Sequence, residues 1–271
     1  FLYSGFAVVL AVYMWTMLDR EANRFSKYAG TFAFGWRIIL TTGTGSIFGF
    51  LVAREAYATA ILAPLFIVMS LLYGTAVYYL ILKIISKFHN TYISDDIVKN
   101  LRKLTIMFLF ANLYFLFLYH ITNMYIAKHL DYEIFILSSG GIYTIAFWVG
   151  QLFVGIIIPI ILMNSSRLSL EYSLILSSVL ILIGSFIAMY VIIIGGQAYP
   201  LTIFPDHVII ESSFYDNVVH SYIPSVYELG LGLGGVALAL IIVLIGIANF
   251  KFLPTIIKPA NVIPNKDDAA D

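Results

Sequence analysis

The chain has 271 residues, of which 61% are hydrophobic and 11% are charged, and its acidic and basic side chains balance to a formal net charge of zero. A mean hydropathy of +0.94 excludes an ordinary soluble domain of this length. Because the chain has no cysteine, it can form no disulfide, no thiolate metal site and no iron–sulfur cluster of its own.

Apolar runs follow one another along most of the sequence. A bilayer span needs roughly 20 apolar residues, and seven runs reach about that length: 1–18, 30–52, 60–82, 104–126, 134–163, 172–194 and 226–249. None alternates apolar and polar residues with a period of two, as the strands of a barrel would. The sequence therefore predicts an all-α, polytopic membrane bundle of about seven helices.

The ends of the chain give two further expectations. Phe1 already lies inside an apolar run, and neither a charged segment nor a cleavage site precedes it. We therefore expect the chain to begin partway into a larger protein, with N-terminal helices missing. We expect residues 1–250 to form one transmembrane domain and residues 251–271 a cytoplasmic tail.

The basic residues predict the orientation. Twelve of them follow the first, third, fifth and seventh runs, whereas the alternate connections hold only Arg54 and Lys128. Basic connections stay on the cytoplasmic side. This predicts a multi-pass protein of the plasma (inner) membrane, with the 195–228 connection outside and the C-terminus in the cytoplasm. We expect the lipid bilayer as a partner, and no nucleic acid.

Polar side chains at membrane depth are costly and usually face a bundle interior or a water-filled cavity. In the predicted orientation most of them lie in the outer half of the membrane. Taken in chain order, the candidates are Thr41, Thr44, Tyr119, His120, Asn123, Gln151, Gln197, Tyr222 and Glu228. Tyrosines alone would indicate an interfacial belt, but His120, Gln151, Gln197 and Glu228 are not explained in that way.

Four segments, in the correct order, resemble the polysulfide reductase/NrfD family of membrane subunits. They are "AILAPLFIVMSLLYGTAVYYL" (60–80), "FWVGQLFVGIIIPIILM" (147–163), "YVIIIGGQAYP" (190–200) and "YIPSVYELGLGLGG" (222–235). The chain also departs from the family pattern at three places. Thr41 stands where a histidine is frequent, Tyr119 where an acidic residue is frequent, and Met189 where a basic residue is frequent.

The resemblance implies a haem-free subunit that binds a quinone, such as menaquinone or a related molecule, near one membrane face. It also implies electron exchange with a separate iron–sulfur subunit, itself joined to a molybdopterin, hydrogenase or cytochrome module. The chain by itself would then not be catalytic. The family usually has more than seven helices, which agrees with the expected missing N-terminal part.

Quinol oxidation releases two electrons and two protons, so a site needs an apolar slot, hydrogen-bonding groups and a titratable group. We assign ring binding to His120 or Tyr119, with Asn123, Gln151, Gln197, Tyr222, Thr41 and Thr44 as further binding candidates. We assign proton exchange to Glu228, although Pro224 and an acid in the first helical turn are also typical of ordinary capping. Arg37 lies about 10 Å into its helix. Either it belongs to a proton path, or its side chain snorkels back to the membrane interface.

Other classes of membrane protein fit less well. A cytochrome b needs pairs of intramembrane histidines, and only His120 of the five histidines is clearly intramembrane. A retinal protein needs a lysine within the last helix, and Lys251 comes only at its end. A transporter or channel is the main alternative, since Pro64 and Pro159 could break their helices, but no inverted repeat is apparent.

Overall fold

The computed structural model describes residues 1–88, 93–165, 167–200, 219 and 222–249. All of the regular structure in these ranges is helical, and each of the seven apolar runs is largely helical. The prediction of an all-α membrane bundle is therefore confirmed. The proposed tail at 251–271, and most of the 195–228 connection, lie outside the described residues.

The main helices are numbered here in chain order. They are α1 (Leu2–Leu18), α2 (Ser26–Gly49), α3 (Leu62–Phe88), α4 (Asp95–Tyr125), the short α5 (Leu130–Ile134), α6 (Ile142–Asn164), α7 (Leu170–Ala198) and α8 (Val226–Asn249). In the described part of the chain, five of them, α3, α4, α6, α7 and α8, are long and apolar enough to cross a membrane. The apolar helix α1 is shorter, at 17 residues.

Serine caps set the starts of two long helices, α4 and α7. The Ser94 hydroxyl accepts a hydrogen bond from the Asp96 amide at 3.4 Å at the start of α4. Ser169 does the same for the Tyr172 amide at the start of α7, also at 3.4 Å. Serine is favoured at this position because its oxygen satisfies an amide that has no partner within the helix. These two serines therefore fix where α4 and α7 begin.

One predicted run is interrupted. The 134–163 run begins in α5, turns at Gly140 and Gly141, and resumes as α6. Gly141 has a φ of +58°, a backbone conformation that side-chain-bearing residues rarely adopt. The periodicity of an apolar run does not reveal such a break, because the glycines that permit it are also common inside membrane helices.

Helices α3, α4, α6 and α7 form a four-helix bundle, and the α1–α2 hairpin packs beside α3. The contact between α6 and α7 is closest at Gly155 and Gly184, where a Cβ added to Gly184 would overlap the Gly155 backbone. Small residues let membrane helices approach in this way. Helix α8 differs from the others, because none of its residues with a described exposure is buried.

Both helices of this close pair contain π-helical turns. They cover Ala146–Ile157 in α6 and Tyr190–Gly195 in α7. A π-helical turn widens the helix, changes the direction of its side chains and is frequent at functional sites. Gln151 and Phe147 from the first segment, and Val191 and Ile192 from the second, line the same small cavity. The π-helical segments therefore position part of the candidate site.

Candidate quinone-interaction site

Four polar side chains, three of them buried, meet where the C-terminal end of α4 joins α5, the end that the sequence predicts to lie at the outer membrane face. His120 Nδ1 lies 2.7 Å from Glu133 Oε2, and the Asn123 amide nitrogen donates to Glu133 Oε1 at 2.8 Å. The chain of contacts continues to His129, whose Nδ1 is 3.3 Å from the Asn123 amide oxygen. These residues, His120, Asn123, His129 and Glu133, are called the outer cluster below.

Burial makes this cluster chemically unusual. Glu133 and Asn123 have 0% of their surface exposed, and His129 has 4%. A buried carboxylate is costly unless it is paired and hydrogen-bonded, and both Glu133 oxygens are engaged here. Desolvation by burial, assisted by the neighbouring Lys128, lowers the pKa of His129, while Glu133 opposes this effect. The cluster thus holds an acid and an imidazole in direct contact, away from solvent.

The loop between α2 and α3 joins Tyr119 of α4, the neighbour of His120, to the end of α7. The Tyr119 hydroxyl donates to the Ala56 carbonyl at 2.6 Å, and the Tyr57 hydroxyl donates to the Ile193 carbonyl at 2.9 Å. Arg54 donates to the carbonyl of Gln197 at 2.9 Å at the end of α7. A cation is favourable there because the carbonyls at a helix C-terminus carry partial negative charge. Burial raises the pKa of Tyr57 to about 12, so its hydroxyl remains a donor.

An enclosed cavity of about 10 Å³ lies beside the cluster. Its walls are Leu65, Leu116, Tyr119, His120, Tyr132, Ile136, Phe147, Gln151, Val191 and Ile192. That volume holds roughly one water molecule, so a quinone ring does not fit inside it. The His120 side chain is nevertheless 12% exposed. A ring could therefore approach this histidine only at its accessible edge.

The structure brings four of the predicted site residues together. Tyr119, His120 and Gln151 line the cavity, and Asn123 joins His120 through Glu133. The His120 ring packs edge-on against Phe147, with the ring centroids 4.7 Å apart. Gln151 is buried, and its Oε1 is without a hydrogen-bond partner in the described structure.

The predicted residues of α2 lie elsewhere. Thr41 and Thr44 each donate to the carbonyl four residues earlier in their own helix, at 2.9 and 3.1 Å. Thr44 is also 3.0 Å from the Tyr3 hydroxyl of α1. Arg37 is exposed, and its guanidinium lies 5.7 Å from the centre of the Phe6 ring. These contacts join α2 to α1 rather than to the outer cluster.

The last three predicted residues are exposed. The Gln197 backbone carbonyl accepts from Arg54. Glu228 forms a capping box with Ser225: the Ser225 amide donates to Glu228 Oε2 at 2.7 Å, and the Glu228 amide donates to the Ser225 hydroxyl at 3.3 Å. The Tyr222 hydroxyl faces the same carboxylate.

Sequence reasoning missed Glu133 and His129 as site residues. Both belong to the segment "IAKHLDYEIFIL", which reads as a connection between two spans. The available signal was weak: an acid four residues after His129, at the edge of an apolar run. Only the fold of α5 against the end of α4 turns these side chains inward.

Comparison with known proteins agrees with this architecture. The model of the NrfD family, polysulphide reductase, matches residues 1–200. A relative from Archaeoglobus fulgidus, the Hdr-like menaquinol oxidoreductase integral membrane subunit, is 25% identical over 261 residues, which cover 94% of this chain and 64% of the relative. The chain thus spans less than two thirds of that relative's length. No solved structure matches the chain. Because the family model covers most of its length, the chain belongs to the NrfD family of integral membrane proteins.

Proposed function

We propose that the chain is the quinol-interacting membrane subunit of a redox complex, and that its quinone is menaquinone or a related molecule. The family and the name of the Archaeoglobus relative support this class of function. The observation that carries the proposal is the contact between His120 and the buried Glu133 at the predicted outer membrane face. This pair supplies the hydrogen-bonding and proton-accepting groups that quinol chemistry needs.

The proposed reaction converts a quinol to a quinone, two electrons and two protons. In the proposed arrangement the Glu133 carboxyl accepts the hydrogen bond of His120 Nδ1–H, so that Nε2 can accept a hydrogen bond or a proton from the quinol hydroxyl. The carboxylate then stabilises the imidazolium that forms when His120 acts as the general base. The same groups serve quinone reduction when electrons flow in the opposite direction.

We place the quinone ring at the accessible edge of His120, because the enclosed cavity beside it holds only about one water. The apolar tail would extend into the bilayer. Tyr119 is a positioning residue in this proposal, since its hydroxyl is directed to Ala56. We propose that Asn123 acts through its hydrogen bond to Glu133 in the outer cluster. We propose that Gln151 acts as part of the cavity wall.

The electron acceptor or donor is proposed to be an iron–sulfur subunit, joined to a molybdopterin, hydrogenase or cytochrome module. The described chain has no cysteine to ligate such a cluster, and in this proposal the electrons pass to a cluster on the partner subunit. Coupling of this reaction to proton movement across the membrane also belongs to the proposal. The complete reaction therefore requires the assembled complex.

The test is His120→Gln in the native complex, assayed with a soluble menaquinol analogue and an artificial electron acceptor. Loss of a general base typically lowers the rate by roughly 10²–10⁴-fold, and we expect a fall in kcat of at least about 100-fold. Met124→Gln, at an exposed position on the same helix, is the matched control and should keep its activity. An assembled His120→Gln complex with wild-type kcat and KM would refute the assignment.

Glu228 stays a separate candidate for proton exchange. Its glutamine variant retains the hydrogen bonds of a capping box, because glutamine serves in the same position. Slower quinol turnover in Glu228→Gln would therefore mean that the carboxylate itself takes part in the reaction. Unchanged turnover would mean that Glu228 serves only as a helix cap. Arg37, Thr41, Thr44, Gln197 and Tyr222 stay predictions, to be tested by the same assay.

A further inference from the structure

We propose that the exposed face of α2 binds an anionic phospholipid of the predicted cytoplasmic leaflet. A groove of about 610 Å³ runs along this face, from Lys27 in the first turn of the helix to Ile39. In the predicted topology α2 begins at the membrane face opposite to the outer cluster. The groove is therefore separate from the proposed quinone site, and the proposal does not depend on the quinol chemistry.

Lys27 supplies an unpaired positive charge at the interfacial end of the groove. Its side chain is exposed and forms no ion pair within the described ranges, whereas Lys83 and Lys99 are paired with carboxylates. The preceding turn, residues 19–25, holds two acidic and two basic side chains, so Lys27 adds the excess positive charge. Basic residues at the cytoplasmic interface attract anionic lipid headgroups.

Tyr28 lies beside Lys27 in the same groove and is 74% exposed. Tyrosine rings in membrane proteins are frequent at the level of the lipid headgroups, and the hydroxyl can donate a hydrogen bond to a phosphate oxygen. The interfacial end of the groove thus offers a cation and a hydrogen-bond donor, the two groups that complement a phosphate.

Two aromatic rings form the apolar wall of the groove. Phe32 and Trp36 pack with their ring centroids 5.8 Å apart. The Trp36 indole nitrogen donates to the Leu2 carbonyl of α1 at 3.2 Å. Its ring also lies where Gly5 of α1 has no side chain, because a Cβ on Gly5 would be 2.6 Å from the ring. The α1–α2 hairpin therefore holds this wall in place before any ligand binds.

The floor and the length of the groove suit an acyl chain. A Cβ added to Gly35, which lines the groove, would meet no atom within 4 Å, so the glycine leaves the space above it open. From Lys27 to Ile39 the helix rises roughly 18 Å at 1.5 Å per residue. The hydrocarbon of one leaflet is about 15 Å thick, half of a core of about 30 Å. A headgroup at Lys27 thus places its acyl chain along the apolar part of the groove.

The charge distinguishes this occupant from two others. An isoprenoid tail or a second protein helix would use the apolar wall, but neither requires an unpaired cation at the interface. An anionic phospholipid uses both parts of the groove. We therefore assign the groove to the lipid, and the experiment separates it from the other two.

The experiment uses the full chain in vesicles, with Trp36 as the reporter. The chain has three tryptophans, so Trp15→Phe with Trp148→Phe leaves Trp36 alone. The vesicles contain equal amounts of phosphatidylcholine and phosphatidylglycerol, and one of the two lipids carries bromine on its acyl chains. Bromine quenches tryptophan fluorescence on contact. We expect phosphatidylglycerol to bind about fivefold more tightly at Trp36, which corresponds to the roughly 1 kcal/mol that one basic residue contributes near an anionic surface.

Two variants with matched controls test the two parts of the groove. Lys27→Gln should abolish the preference for phosphatidylglycerol, whereas Lys103→Gln, at an exposed position on the same predicted membrane side, should keep it. Gly35→Leu fills the groove and should also abolish the preference. Gly74→Leu is its control, since a Cβ there likewise meets nothing within 4 Å. Circular dichroism shows whether each variant keeps its helices.

Three results would overturn the proposal. Equal quenching of Trp36 by the two brominated lipids would show that the groove does not select an anionic headgroup. A preference that persists in Lys27→Gln would mean that it comes from the general surface charge. Quenching by neither lipid would mean that protein or an isoprenoid tail covers the groove. None of these results bears on quinol oxidation, so the proposed function would stand.

Discussion

The most informative single residue is Glu133, a carboxylate with none of its surface exposed. Both of its oxygens have side-chain partners, His120 and Asn123. Removing a shared acceptor leaves two buried groups unsatisfied, which costs more than the hydrogen bonds themselves contributed. The residue therefore links the stability of the outer end of the bundle to the proposed chemistry.

We expect Glu133→Leu to lower the free energy of unfolding by about 2–5 kcal/mol, since two buried polar groups then lack their acceptor. Thermal unfolding of the purified complex in detergent measures this. Asp131→Asn, on the exposed side of the same short helix, is the control and should change stability by less than about 0.5 kcal/mol. Equal stability of the two variants would mean that the Glu133 contacts contribute nothing.

Four of the residues chosen from the sequence lie at the site: His120, Tyr119, Asn123 and Gln151. A polar group at membrane depth is conspicuous in any hydropathy pattern, but Thr41 and Thr44 were equally conspicuous and make their contacts within α2 and to α1. Glu133 and His129 escaped because their burial depends on the turn between α4 and α5. Pairing across such a turn is set by tertiary packing, on which local periodicity gives no information.

At the scale of the helices, the closest contact in the bundle is that between Gly155 of α6 and Gly184 of α7. It holds together the two helices whose π-helical turns line the cavity beside His120. Helix positions were predictable from the sequence because each span must be apolar. The π-helical turns were not, since an apolar sequence accommodates either helical pitch.

We expect Gly184→Ala to destabilise the bundle, by about 1–3 kcal/mol, because its methyl group would overlap the Gly155 backbone. Gly74→Ala is the matched control, since a Cβ there meets nothing within 4 Å and alanine favours a helix over glycine. Thermal unfolding of both variants separates packing from helix propensity. A Gly184→Ala protein as stable as Gly74→Ala would show that α6 and α7 can move apart freely.

At the scale of the whole molecule, the feature to be tested is its orientation in the membrane. The structure confirms several membrane helices, and the orientation remains a prediction from the distribution of basic residues. It also decides which face carries the outer cluster, because α4 runs from the basic side toward His120. The location of the proposed quinone site depends on this assignment.

The absence of cysteine allows a direct measurement. Lys99→Cys and Lys128→Cys place single thiols at exposed positions near the start of α4 and just after its end. We expect a membrane-impermeant thiol reagent to label Lys128→Cys in intact cells, and Lys99→Cys only after the membrane is opened. The reverse pattern would place the outer cluster at the cytoplasmic face.

The π-helical segment of α6 has a consequence for how this sequence can change during evolution. Each residue of an α-helix turns the chain by roughly 100°, so deleting one residue from an ordinary span would misdirect every side chain beyond it. Within 146–157 a one-residue deletion could instead be absorbed, by tightening the wide turns back to α-helical pitch. One-residue deletions, which elsewhere accumulate in loops, should therefore also be found inside this membrane span in homologous proteins. In those homologues the wall of the cavity would be built differently.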